Sequence, residues 1–232
     1  MFAIDGSIIT AALHIHTEYS PCGVTRIDQI EKYCLDKEID VVAITDHDTI
    51  AGALALEKIV SKIRVIVGEE VTTREGEIVG LFLREPIKPR QSAKATCMQI
   101  KEQGGMVYVP HLFDPFKIHR LKTPSLLKVI DLVDIIEVFN AKTSLPMFNR
   151  MSVDFAKRHH KPGAAGSDAH YLESIDMCTM LMADFSTPQE FLANLADAEL
   201  VAKRGGRARC WLGGVKNVLG QEGHKVRRRK IH

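Results

Sequence analysis

Imidazoles and carboxylates recur in this chain at the ends of apolar runs. "AALHIHTEYSPCG", residues 11 to 23, closes such a run on His14 and His16. In a β-strand, residues two apart share a face and lie roughly 7 Å apart. That spacing suits a shared metal site, and it equally suits two surface histidines. The pattern then repeats: "AITDHDT" carries Asp46, His47 and Asp48, "VGEEVTT" carries Glu69 and Glu70, and "VYVPH" ends on His111. "DIIEVFN" sets Glu137 in an apolar run, and "AAGSDAH" delivers Asp168 and His170. Imidazole and carboxylate without a thiolate cluster form a donor set for Zn, Mn or Fe. Each residue also has an ordinary reading: Glu137 as a buried ion-pair partner, Asp168 as a helix cap, His111 as a strand end.

The elements that must position these groups alternate. Strands are predicted over 7–13, 40–45, 64–70, 77–83, 106–110, 134–139, 162–167 and 178–184, from short β-branched runs between turn residues. Helices are predicted over 27–37, 50–61, 92–103, 124–130, 146–159 and 188–196, with Asp28 and Ser92 as candidate caps. This alternation implies an α/β fold on a largely parallel sheet, open or closed into a barrel. In such sheets the carboxyl ends of the strands meet on one face, so the polar strand ends converge. More than four such groups in one place point to several ions with a bridging carboxylate.

In these motifs, "LHIHTEYSPCG", "ITDHDTIAG", "GEEVTT", "GGMVYVPHLFDP", "IIEVFN" and "AGSDAH" in that order, the chain resembles the PHP (polymerase and histidinol phosphatase) family of metal-dependent phosphoesterases from about residue 12 to residue 200. The resemblance implies a distorted seven-stranded (β/α)7 barrel over residues 1–200, with two or three divalent metal ions at its mouth. It implies His14, His16, Glu70 and Asp168 at one ion and Glu70, His111 and Glu137 at a second. His47 and His170, with Cys22, would hold a third. The chain departs from many members at Ala12, where they have Asp, at Leu112, where they have Pro, and at Cys22, where they have His or Asp.

Such a centre lowers the pKa of a bound water and spreads phosphoryl charge over two cations, so a bridging hydroxide is the expected nucleophile. "FDPFKIHRLK" places Lys117, His119 and Arg120 on a loop at the mouth. His119 is the expected general acid, Arg120 the phosphate clamp, and Lys142 of "FNAKTS" a further substrate contact; the alternative is a basic surface loop. Only one strand and one helix separate Glu70 from His111, and one short helix separates His111 from Glu137. No inserted lid selects among a small phosphomonoester, a nucleotide and the end of an oligonucleotide.

Two other classes compete. An amidohydrolase-like C–N hydrolase shares the first-strand H-x-H and a late-strand Asp. A metal-stabilised module could bind nucleic acid through residues 201–232, where ten Lys and Arg stand against Glu222 alone. That tail contains six glycines, and a mobile, solvated terminus is its simplest reading. The 232 residues, 45% hydrophobic and 26% charged, describe an ordinary globular chain with no apolar run near the ~20 residues of a membrane span. No basic leader opens the N-terminus. Five cysteines without a C-x-x-C pair argue against a disulfide framework or zinc ribbon and for a reducing cytoplasm.

Overall fold

The computed structural model describes residues 7–203 and, for the backbone, 209–210. Ten strands form one sheet in the order β10-β9-β8-β1-β2-β3-β4-β5-β6-β7. They are β1 (Ile8–Ile15), β2 (Val41–Ile44), β3 (Arg64–Thr72), β4 (Glu77–Leu81), β5 (Met106–Val109), β6 (Ile135–Asn140), β7 (Gly163–Gly166), β8 (Cys178–Ala183), β9 (Glu199–Lys203) and β10 (Arg209–Cys210). The helices are α1 (Ile27–Asp36), α2 (Ala51–Ile59), α3 (Ala93–Glu102), α4 (Thr123–Val129), α5 (Pro146–Arg158) and α6 (Pro188–Leu195).

The first seven strands nearly close into a barrel. Just past β7, Ser167 N–H donates to Leu13 O at 2.9 Å and Ala169 N–H to His14 O at 3.2 Å, while His16 N–H returns to Ala169 O at 2.8 Å. β1 is therefore shared: its first half pairs antiparallel with β8, and its last residues meet the segment after β7. β8, β9 and β10 extend the wall as an antiparallel ribbon.

Strand alternation divides the core. Ala11, Leu13, Val41, Ala43, Ile66, Val79, Tyr108 and Ala164 face one cluster, which Phe191 and Leu195 of α6 complete. Ala12, Ile15, Val42, Ile44 and Val67 face the other, against Ile30, Leu56, Ile100 and Phe155 of the helices. Adjacent residues of one strand thus enter opposite sides of the sheet, as a period of two requires. The helices start where the sequence signals them: Ser92 accepts from Ala95 N, Thr187 accepts from Glu190 N, and Pro lies in the first turn of α4, α5 and α6.

Three expectations are corrected. The sheet is mixed rather than largely parallel, because β4 runs antiparallel to both β3 and β5. Only residues 73–76 join β3 to β4, too short a link for a parallel crossover, which needs a dozen residues or more. Asp28 does not cap α1: it sits inside the first turn and binds Arg26, while Glu18 accepts from Ile27 N at 3.1 Å. The sheet also runs past residue 200, since β9 pairs with β8 through Ala202 and β10 pairs with β9. The remainder of the basic tail, with its expected mobility, lies outside the described residues. No helix among the described residues is long and apolar enough to cross a membrane.

Candidate metal centre

The mouth of the barrel collects the strand-end residues. His14 lies near the end of β1 and His16 just after it, Glu70 lies in β3, Glu137 in β6, and His47, His111, Asp168 and His170 follow β2, β5 and β7. His14, His111 and Asp168 hold positive φ angles of 61°, 32° and 51°. That region is sparsely populated for residues with a Cβ and costs about 1–3 kcal/mol each. The β1–β2 register slips between Ala12 and Ile15, around His14, and the β6–β7 register slips between Glu137 and Phe139. These bulges re-aim the side chains into the mouth.

Glu70 is the hub. Its Oε2 lies 3.3 Å from His14 Nε2 and 3.2 Å from His16 Nε2, and its Oε1 lies 3.1 Å from His111 Nε2. Asp168 Oδ1 faces the same two histidines at 3.9 and 3.7 Å. His16 Nε2 and His111 Nδ1 are buried and make no hydrogen bond. His16 Nε2, buried without a hydrogen bond and facing carboxylate oxygens at 3.2 and 3.7 Å, fits a divalent cation better than it fits a closed hydrogen-bond network. Three groups of ligand-type atoms within 4.8 Å of one another surround this hub: His14, His16 and Glu70; His14, His111 and Asp168; Glu70, Glu77 and His111. A fourth gathers His16, Cys22 and His170 at the rim.

The sequence reading missed Glu77. It opens β4, is buried, and puts its carboxylate 3.7 Å from His111 Nε2 and 3.8 Å from His47 Nδ1. Burial, with Glu70 beside it, raises its pKa to about 7. A search of carboxyl strand ends passes over it, since an antiparallel strand brings its first residue to the mouth. The six residues between the runs predicted at 64–70 and 77–83 were the available signal of a hairpin.

Glu137 is placed differently from the expected second-ion ligand. Its Oε1 accepts from His14 Nδ1 at 2.8 Å and from the Tyr108 hydroxyl at 2.6 Å; its Oε2 accepts from His111 N–H at 2.6 Å and Asn140 Nδ2 at 2.9 Å. Both oxygens are committed to protein donors, and none of the ligand-type groups includes it. A Cβ on Gly166 would overlap this carboxylate, which is why β7 carries glycine there. His47 stacks on His16 at 4.7 Å between ring centroids and faces Glu70 and Glu77 rather than Cys22. Asp46 latches the first two loops, accepting from Thr17 N and Thr17 Oγ1 at 2.6 and 2.7 Å.

Charge is balanced locally. Burial alone would lower the His14 pKa, but Glu70, Glu137 and Asp168 outweigh it and hold the imidazole well above its ordinary value. Against the cost of burial, His14 and Lys117 keep the Asp168 carboxyl below the usual range. Burial and the neighbouring His16 push His170 down to about 4.

The loop after His111 reaches the centre through Lys117, whose Nζ bonds Asp168 Oδ2. His119 is exposed and lines the open cavity of about 190 Å³ with His47, Glu70, Glu77 and His111. Arg120, the expected clamp, is not among the lining residues; its backbone is pinned to Glu77, and Lys117 takes the inward position. Lys142 Nζ lies 2.7 Å from His170 Nδ1.

Residues 146–200 match the PHP-associated family. Uncharacterized protein MJ1587 of Methanocaldococcus jannaschii is 41% identical over 144 residues, covering 56% of this chain and 81% of that protein. A two-domain Bacteroides vulgatus protein containing a predicted PHP-like metal-dependent phosphoesterase superposes with a TM-score of 0.67 at 15% identity, over 84% of this chain. This chain spans 65% of that protein. An amidohydrolase from Chromobacterium violaceum, crystallised with sulfate and no metal, superposes with a TM-score of 0.59 at 15% identity, over 81% of this chain and 98% of that one. The last two show a shared fold. With the motifs in their places at the barrel mouth, this chain belongs to the PHP-domain family.

Proposed function

We propose that the centre binds two or three divalent cations, Zn, Mn or Fe, and hydrolyses a phosphoester. The observation that carries this reading is the Glu70 carboxylate, one oxygen turned to His14 and His16 and the other to His111. That is the disposition of a carboxylate shared between two ions. His14, His16, Glu70 and Asp168 would hold the first ion, Glu70, His111 and Glu77 the second, and His16, Cys22 and His170 offer donors for a third. Bound there, such ions supply an activated water and neutralise phosphoryl charge.

The chain's own groups supply the rest. Lys117, bonded to Asp168, would meet a phosphoryl oxygen, and Lys142, beside His170, would be a further contact. His119, exposed on the cavity wall, would protonate a leaving alkoxide. Glu137 orients His14 through Nδ1 and leaves Nε2 for an ion.

The test is turnover by the metal-loaded protein of phosphomonoesters, dinucleotides and short RNA, with Asp168→Ala beside it. We expect metal-dependent hydrolysis of at least one class and a loss of several orders of magnitude in the variant. Turnover of a C–N substrate with every phosphoester inert would reverse the choice. RNA binding that is lost on truncation after Lys203, with no hydrolysis, would favour the nucleic-acid module.

A further inference from the structure

The loop between Leu112 and Arg120 carries a feature that the ion chemistry does not use. Phe116 and Ile118 are each 75% exposed, the most exposed large apolar side chains among the described residues, and both line the cavity. Between them Lys117 turns inward to Asp168. The loop is fastened on both sides. Asp114 accepts from Ser144 N at 2.7 Å, Ser144 Oγ at 2.9 Å and Phe116 N at 3.0 Å. At the other end His119 O accepts from Glu77 N at 2.7 Å, and Arg120 N donates to Lys117 O at 3.1 Å. Two large apolar groups are therefore presented to water beside a charged centre by a pinned backbone.

We propose that Phe116 and Ile118 form the subsite for the alcohol part of the substrate and select a flat aromatic ring there. This rests on the phosphoester reading above. The phosphoryl group would go to the ions that the buried oxygen and nitrogen atoms hold and to Lys117, so the part of the ester that projects from the mouth is its alcohol. An apolar ring covering Phe116 and Ile118 removes apolar surface from water on both partners, whereas a polyol gains nothing from them. The ring can belong to an aryl-bearing alcohol or to a nucleobase.

Calorimetry on the Mn-loaded protein with benzylphosphonate and methylphosphonate reads the subsite without turnover. We expect benzylphosphonate to bind about tenfold more tightly, the scale of burying part of one ring. In the double variant Phe116→Ala/Ile118→Ala the ratio falls to near one, and Phe116→Tyr, which keeps the ring, keeps the ratio. Turnover of AMP against ribose 5-phosphate then separates the two sources: selectivity for AMP assigns a nucleobase, and none assigns an aryl alcohol. Equal affinity in the unmodified protein, or a ratio that survives the double substitution, overturns the subsite even if phosphoesters are hydrolysed. Ring selectivity that persists in a protein inert to every phosphoester upholds the subsite and removes only the hydrolytic reading.

Discussion

Replacing Glu137 with Gln separates an ion ligand from a residue that orients one. All four groups on the carboxylate are donors: His14 Nδ1 and the Tyr108 hydroxyl on Oε1, His111 N–H and Asn140 Nδ2 on Oε2. An amide must present its NH2 to one of these pairs. Turned toward His111, it faces a backbone N–H that cannot become an acceptor, and that buried donor is stranded at about 1–3 kcal/mol. Turned the other way, it meets groups that can adapt. The Tyr108 hydroxyl rotates to accept, and His14, whose raised pKa gives it a proton on each nitrogen in the ion-free centre, loses the one on Nδ1 and keeps Nε2–H toward Glu70. The second arrangement wins because it strands no backbone donor, but the ion-free variant still loses a carboxylate beside the charged His14, so its denaturation midpoint should fall.

Metal binding should weaken as well. His14 ligates through Nε2 only when that nitrogen is unprotonated, and in the variant the amide holds it in the other tautomer. Loss of such an orienting partner costs about 10–100-fold in metal affinity, or about 1.4–2.7 kcal/mol. Competition with a chelating dye measures the affinity, elemental analysis the stoichiometry at saturation, and denaturant titration the ion-free stability. Unchanged affinity would refute the orienting role. One ion fewer at saturation would make Glu137 itself a ligand, as the family resemblance implies.

Glu77→Ala should lower the metal content at saturation by one ion per chain while His14, His16 and Asp168 retain theirs; an unchanged content by elemental analysis would remove Glu77 from the ligand set. Gly166→Ala puts a methyl group into the Glu137 carboxylate, and overpacking of this kind costs about 1–3 kcal/mol, read as a lower denaturation midpoint. Metal binding should release protons, because the His14 pKa is raised by Glu70, Glu137 and Asp168, and burial raises that of Glu77 to about 7. A cation displaces both protons, so affinity rises with pH across this range. Calorimetric enthalpies that do not change between buffers of different ionisation enthalpy would contradict the exchange.

Most of the barrel was legible because its strands are short, β-branched and bounded by turn residues, and because α3 to α6 start on a cap or proline the sequence shows openly. The ends of β1, β2, β3, β5, β6 and β7 therefore identified His14, His16, His47, Glu70, His111, Glu137, Asp168 and His170 as a set, and the fold brings all eight to one mouth. What escaped is set by strand direction and by which atom of a side chain is already taken. Glu77 belongs to the mouth only because β4 runs backward, so its first residue rather than its last arrives there. β9 was hidden because "ELVAK" leads directly into glycines and basic residues that read as a tail. Glu137 looks like every other strand-end carboxylate in sequence, and only the structure shows that its oxygens already accept from four donors, His14 among them. Lys117 and Arg120 are three residues apart on one basic loop, and sequence offers no ground to prefer either. The backbone pairing of Arg120 with Glu77 fixes the far end of the loop, and Lys117, one turn earlier, is left to reach Asp168.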